Sequence, residues 1–165
     1  MQRPKEIYLL VHNIRSSYNV GSLFRTADGL GVQKLYLVGY TPYPEHPKDT
    51  RLPHVRQRAS KTIHKTALGA EKTVPWEYYP DVESAIANLR KLEIQVIALE
   101  QSPKATLLED FKPQYPICLV VGSERDGLEK SVLDLCDDIV EIPMLGKKES
   151  FNVSVAGAIA MHYFS

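Results

Sequence analysis

Four stretches of this 165-residue chain carry residue types that could do chemistry. The first is Gly122-Ser-Glu-Arg-Asp-Gly127, a glycine-bounded turn with two carboxylates. It is not a P-loop, because Leu128 and Glu129 stand where Lys and Ser/Thr are needed. Glu124 and Asp126 oppose a phosphate and favour a neutral or cationic ligand, which points away from ATP and NAD. The second lies around Asn13, Arg15 and Asn19, with Gly21 and Arg25 four residues apart on one helical face. Arg25 sits more than about 100° from the apolar stripe of Val20, Leu23, Phe24 and Ala27, so it does not point into the core. The third is Ile142 to Gly157, in which Ser150 and Asn152 can accept the free N–H groups of a starting helix. The fourth is the segment from Lys48 to Lys65: Lys48, Arg51, Arg56, Arg58, Lys61 and Lys65 against the single carboxylate of Asp49. That concentration suits a phosphate backbone, and Lys147-Lys148 adds to the field. Each stretch alone also fits a plainer reading: a solvated turn, a surface arginine, a capped connection, a solvated loop.

These residues need elements to position them. Ile7–Val11 reads as a first strand, and the apolar stripe from Val20 to Ala27 as a helix capped by Asn19 or Ser17 and closed by Gly29 and Gly31. Leu35–Val38 is a second strand. Residues 39–57 form a proline-broken irregular segment, followed by a helix from Arg58 to Ala70. Val74–Tyr79 suits a short edge strand because of Pro75, and Asp81 caps a helix with Val82, Ala85, Ile86 and Leu89 inward. Ile94–Leu99 and Ile117–Val121 are strands. The second is apolar at every position, as a central parallel strand buried on both faces must be. A helix containing Val132, Leu133 and Cys136 follows the glycine turn. The strand Ile139–Ile142 then stops at Pro143, and a last helix rich in Ala156, Gly157, Ala158 and Ala160 can approach another backbone closely. Alternating strands and helices predict an α/β fold with a mainly parallel sheet flanked by helices, whose ligands sit at the carboxyl ends of the strands.

Composition sets the limits. Hydrophobic residues are 44% and charged residues 24%, ordinary for a globular protein, and one domain over residues 1–165 is expected. Net charge is zero, so an anionic partner must be held by a local patch. Cys118 and Cys136 form no CxxC pair, and five scattered histidines offer no metal spacing. No signal peptide or membrane span is expected, which predicts a cytoplasmic protein with reduced thiols and neither metal nor membrane partner.

Taken together, the stretches resemble the SpoU/TrmH-type RNA 2′-O-ribose methyltransferases of the SPOUT superfamily. The resemblance rests on Asn19-Val-Gly-Ser-Leu-Phe-Arg-Thr-Ala27, on Gly122-Ser-Glu-Arg-Asp-Gly127, and on Ile142-Pro-Met144 with Ser150-Phe-Asn-Val-Ser154. Phe151 replaces the usual leucine. The resemblance implies a deep C-terminal trefoil knot over about residues 115–165, a rarity among folds. It also implies a homodimer with the site near the subunit interface. S-adenosylmethionine would be held by backbone groups at Leu99, Gly122, Ile142 and Phe151, with Met144 nearby. Arg25 would activate the ribose hydroxyl, with Asn19 and Glu124 holding the arginine or the ribose, and Asn152 and Ser150 binding RNA phosphate or shaping the turn. Arg15, Arg51, Arg56, Arg58, Lys61, Lys147 and Ser150 would contact RNA. The chain is expected to lack the RNA-binding extensions of many relatives, which favours tRNA over rRNA as acceptor. A non-catalytic RNA-binding protein of the same fold is the alternative.

Overall fold

The computed structural model describes residues 5–165, so the expectation that no signal peptide is present falls partly outside it, on residues 1–4. The elements follow the chain as β1 (Ile7–His12), α1 (Ser17–Leu30), β2 (Lys34–Val38), α2 (Pro53–Ala67), α3 (Ala70–Thr73), β3 (Trp76–Tyr79), α4 (Val82–Lys91), β4 (Gln95–Leu99), β5 (Thr106–Leu107), β6 (Ile117–Val121), α5 (Lys130–Leu133), β7 (Asp138–Glu141) and α6 (Val153–Phe164). A 3₁₀ turn at Leu108–Asp110 follows β5.

The strands form one seven-stranded sheet in the order β3-β2-β1-β6-β4-β7-β5, and every pairing is parallel. β6 is the central strand and all five of its residues are buried, as its unbroken apolar run predicts. Side chains alternate across the sheet with period two. Leu9, Val11, Leu119 and Val121 face α1, α2 and α6, meeting Leu23, Phe24, Ile63, Met161 and Phe164. Leu10, Val96, Cys118 and Val120 face the other way, toward Ala85, Ile86 and Leu89 of α4 and Val132 of α5. A one-residue slip would exchange the two clusters, so burial on both faces locks the register. At roughly 1.5–3 kcal/mol for each fully buried large aliphatic side chain, these clusters dominate the stability of the fold.

Several boundaries differ from expectation. α2 begins at Pro53 rather than Arg58, because proline at the first helical position loses only an N–H that has no intrahelical partner. It ends at Ala67, where Leu68 turns left-handed, and α3 is a separate turn. Ser16, not Asn19 or Ser17, caps α1, accepting from the Asn19 N–H at 3.3 Å. Gly31, with φ of 67°, closes that helix, and Gly29 lies inside it. α5 is a single turn that leaves Cys136 outside. Burial pushes the Cys136 thiol up to about 12 and that of Cys118 well above its ordinary range, which disfavours the thiolate form of both. The two-residue strand β5 is too short to leave a pattern. No helix among the described residues is long and apolar enough to cross a membrane.

Two glycines set how closely the helices approach. A Cβ on Gly21 would overlap Thr66 Oγ1 and the Ile63 carbonyl of α2, while one on Gly157 of α6 would press on the Leu23 Cδ2 of α1 at 2.8 Å. Backbone does not yield where a side-chain tip does. Gly21→Ala is therefore expected to destabilise the fold by about 1–3 kcal/mol, the usual cost of overpacking, and Gly157→Ala by less. Urea denaturation of the two variants checks the order; equal costs would contradict it.

Candidate functional site

The chain leaves the central strand β6 into a closed turn. The Ser123 N–H donates to the Gly127 carbonyl at 3.2 Å and the Gly127 N–H donates back at 3.0 Å, while Ser123 Oγ accepts from the N–H groups of Arg125 and Asp126. Both bounding glycines are required by geometry. A Cβ on Gly122 would overlap the Gly127 carbonyl, and Gly127 has φ of 64° with the Glu100 carboxylate packed against it.

The Glu124 side chain reaches across to the start of α1. Its two oxygens accept the Arg15 and Ser16 N–H groups, both at 3.1 Å, and Asn19 Nδ2 at 3.0 Å. Asn19 Oδ1 in turn accepts from Asn152 Nδ2 at 3.3 Å. Asn152 is the N-cap of α6, its Oδ1 accepting the N–H groups of Ser154 and Val155. Ser150, the other expected cap, bonds none of them. One polar bridge thus joins the turn after β6, the first turn of α1 and the first turn of α6. Burial works to raise the Glu124 pKa, but the hydrogen bonds from Asn19 and from backbone N–H groups outweigh it and hold the carboxyl below its ordinary range.

Beside this bridge lies a cavity of about 570 Å³. Leu99, Gly122, Ile142 and Phe151 line it, as do Glu124, Ser150 and Asn152; Met144 does not. Its wall also carries Glu100, Asp126, Glu141 and Glu149 against one guanidinium, Arg125, so the cavity is acidic. Glu100 is a residue that sequence reasoning missed. It follows the last residue of β4, and that place at the carboxyl edge was the available signal. Its carboxylate accepts the Leu128 N–H at 2.9 Å and the Gln101 N–H at 2.8 Å, and Gln101 Nε2 donates to the Glu149 carbonyl at 2.7 Å. The pair ties the end of β4 to the other two cavity segments.

The remaining expected residues divide. Arg25 is exposed on α1, six residues beyond Asn19, outside the cavity wall, and its side chain makes no ion pair or hydrogen bond among the described residues. Arg15 and Lys147 are exposed. Arg51 and Arg56 are internal staples. Arg51 pairs with buried Asp49 at 2.6 Å, donates to the Tyr43 and Pro44 carbonyls and lies 3.5 Å from the Tyr43 ring centroid. Arg51's hydrogen bonds hold the Asp49 carboxyl well below its ordinary range. Arg56 Nη1 donates to the Asp49 carbonyl at 2.9 Å, and its Nε sits 2.8 Å from Glu45 without pointing at it. The fold brings Glu45 and Glu71 to this basic segment, so the free cations there are fewer than the sequence suggests; Arg58 and Lys61 are exposed and unpaired among the described residues. No group of three or more His, Cys, Asp or Glu among the described residues could hold a metal ion.

Known proteins are similar to this chain in sequence and fold. The sequence profile of the SpoU rRNA Methylase family matches residues 6–162. A tRNA (guanosine(18)-2′-O)-methyltransferase of Escherichia coli is 27% identical over 98% of this chain and 63% of its own length. A 23S rRNA (guanosine-2′-O-)-methyltransferase of Ralstonia nicotianae is 30% identical over 94% of this chain and 56% of its own. The chain therefore spans less than two thirds of either relative. A solved structure described as giving insight into the 2-OH methylation of C/U34 on tRNA superposes with a TM-score of 0.72 at 23% identity, covering 97% of this chain and 94% of that one.

The bridge has a pH signature. A carboxyl held below its ordinary value of 4.5 stabilises the fold fully above that value and loses the contribution as pH falls through the folded pKa. The stability difference between the wild type and Glu124→Gln is thus expected to be greatest near neutrality and to shrink below about pH 4.5. Urea midpoints across that range measure it, and a difference that grew on acidification would contradict the assignment.

Proposed function

The chain belongs to the SpoU rRNA methylase family, and from that premise we propose that it is an S-adenosylmethionine-dependent RNA methyltransferase acting on a ribose 2′-hydroxyl, with tRNA as the favoured RNA. The observation that carries this reading is the acidic cavity at the carboxyl ends of β4, β6 and β7, walled by the sequence-distant motif segments and joined to α1 by the Glu124–Asn19–Asn152 bridge. Its volume suits a small-molecule site, for which about 300–1,000 Å³ is usual. Leu99, Val121, Ile142, Phe151 and Ala156 offer an apolar bed for an adenine ring. Glu100, Asp126, Glu141 and Glu149 favour a ligand bearing a sulfonium and an ammonium, and Arg125 is a partner for its carboxylate. The fit is good.

The bound cofactor supplies an electrophilic methyl group on cationic sulfur. The protein aligns the ribose oxygen with that group and lowers the cost of its negative charge. Glu124 is a poor base, because its carboxyl is held low and its oxygens already accept three hydrogen bonds. It positions α1. Arg25, on that helix and unpaired among the described residues, is the cation assigned to the developing alkoxide. A guanidinium pKa of about 12.5 or more leaves a neutral fraction on the order of 10⁻⁵ or less at pH 7, too small for a base. The hydroxyl proton would leave to an RNA phosphate or solvent.

Preference for tRNA draws support from the Escherichia coli relative and from the tRNA-related structure of nearly equal length; the Ralstonia relative supports rRNA as the alternative. The described residues share one sheet, in keeping with a single domain. The trefoil knot over about residues 115–165 belongs to this proposal, supported by β6 entering between β1 and β4 and by α6 returning to pack on α1; a crystallographic trace with an unthreaded C-terminus would remove it. So does a cytoplasmic homodimer. Val155, Ile159 and Tyr163 recur every four residues on α6 and Phe151 lies just before the helix; they remain 47%, 37%, 45% and 40% exposed, an apolar surface that a second copy would cover.

Two measurements test these assignments. Arg25→Ala is expected to lower methyl transfer from labelled cofactor to total tRNA by about 10²–10³-fold, the scale of losing one oxyanion donor, with cofactor affinity nearly unchanged. Undiminished transfer would end the role given to Arg25. Because Phe151 belongs to both that apolar surface and the cavity wall, Ile159→Asp is expected to yield monomers in sedimentation and to weaken cofactor binding. An intact dimer would contradict the interface.

A further inference from the structure

A second hollow, of about 820 Å³, lies between the loop over residues 44–47, one face of α2 and the start of β3. We propose that it takes one unpaired nucleotide of the RNA, its base stacked on Trp76 and its flanking phosphates at Lys61 and Lys72. The inference rests on the RNA reading above but uses none of the cavity residues.

The charge balance decides the sign of the ligand. Two carboxylates line the hollow, and both are engaged: Glu45 sits 2.8 Å from Arg56 Nε, and Glu71 accepts from His64 Nδ1 at 2.6 Å and from the Gly69 N–H at 2.9 Å. Lys61 and Lys72 have no ion-pair partner among the described residues, so the hollow presents uncompensated positive charge. The aromatic groups identify what accompanies the anion. Trp76 is half-buried, with His46 edge-on at 5.9 Å and Tyr43 at 5.9 Å; Tyr43 itself stacks on Tyr78 at 4.2 Å. Aromatic faces beside lysines are the means by which proteins hold single-stranded nucleic acid with little regard to sequence.

The walls are built to hold shape. The Glu45 N–H donates to Ser60 Oγ at 2.5 Å, and Arg51 pins the loop through Asp49 and the Tyr43 carbonyl. α2 connects the hollow to the catalytic side. Gln57, Ser60, Lys61 and His64 face the hollow, while Ile63, Thr66 and Ala67 face α1, where Thr66 Oγ1 donates to the Tyr18 carbonyl at 2.8 Å, one residue before Asn19. RNA anchored here can pass over α2 toward Arg25.

Trp76 is the one tryptophan of the chain, so its emission reports on this hollow alone. The test titrates the full chain with a short fluorescein-labelled single-stranded oligoribonucleotide, following anisotropy, and with its unlabelled counterpart, following Trp76 emission. An abasic chain of equal length and free mononucleotide are the comparison arms. The expected result is saturable quenching with the same midpoint as the anisotropy, with the abasic chain bound but not quenching and the mononucleotide bound far more weakly. Lys61→Ala and Lys72→Ala are each expected to reduce the slope of log affinity against log salt by about 0.7. Trp76→Leu is expected to weaken binding about tenfold, on the scale of one lost stacking contact. Binding without a change in Trp76 emission, or equal quenching by the abasic chain, overturns this site while leaving the RNA reading intact. An absence of any anisotropy change overturns both.

Discussion

One hydrogen-bonded bridge, Glu124 to Asn19 to Asn152, joins residues 105 and 133 positions apart in the chain. It is partly exposed, and a single net hydrogen bond is worth only about 0.5–1.5 kcal/mol, so it does not hold the protein together. The apolar clusters on the two faces of the sheet do that. What the bridge does is choose. Among the ways α1, α6 and the Gly122–Gly127 turn could meet above the sheet, it favours the one in which their first turns converge. The cavity is a consequence of that convergence, and its acidity follows from the carboxylates that the ends of β4 and β7 bring to it.

Close approach is the second condition. Gly21, Gly122, Gly127 and Gly157 each stand where a side chain would meet a neighbour. Two of them let helices pack, Gly122 lets the turn close on itself, and Gly127 lets it pack against Glu100. The motif glycine at Gly21 therefore serves the contact of α1 with α2. The motif Arg25 is the reverse case, exposed on the helix that Gly21 seats and unpaired among the described residues. A single short motif thus mixes a packing residue with an exposed cation, and spacing alone does not separate them.

Much of the frame was legible because its signals are local. The unbroken run Ile117–Val121 marked the central strand, Asp81 marked the start of α4, and the carboxylates of the Gly122–Gly127 turn marked the acidity of the cavity. What was not legible depends on partners distant in sequence. Arg51 and Arg56 read as free cations because nothing in their spacing shows that one folds onto Tyr43 and buried Asp49, and the other onto the Asp49 carbonyl and Glu45. Glu100 read as an ordinary residue at a strand end, since its value lies in the Leu128 N–H and Gly127 that the sheet order places beside it. Pro53 misled for a different reason: proline breaks a helix interior but begins a helix well. The expectations of a knot and a dimer came from family resemblance alone.

The same physics separates the two hollows. One is an acidic cavity with an apolar bed, suited to a small cation; the other is a basic hollow with aromatic walls, suited to a nucleotide. α1 and α2 lie between them, so the account turns on how firmly α1 is placed. A double-mutant cycle on Asn19→Ala and Asn152→Ala, read as S-adenosylmethionine affinity by calorimetry, tests this most directly. The account predicts that each substitution weakens binding and that the double variant is little worse than the weaker single, a coupling on the order of 0.5–3 kcal/mol. Losses that simply add would contradict a bridge that acts as one unit.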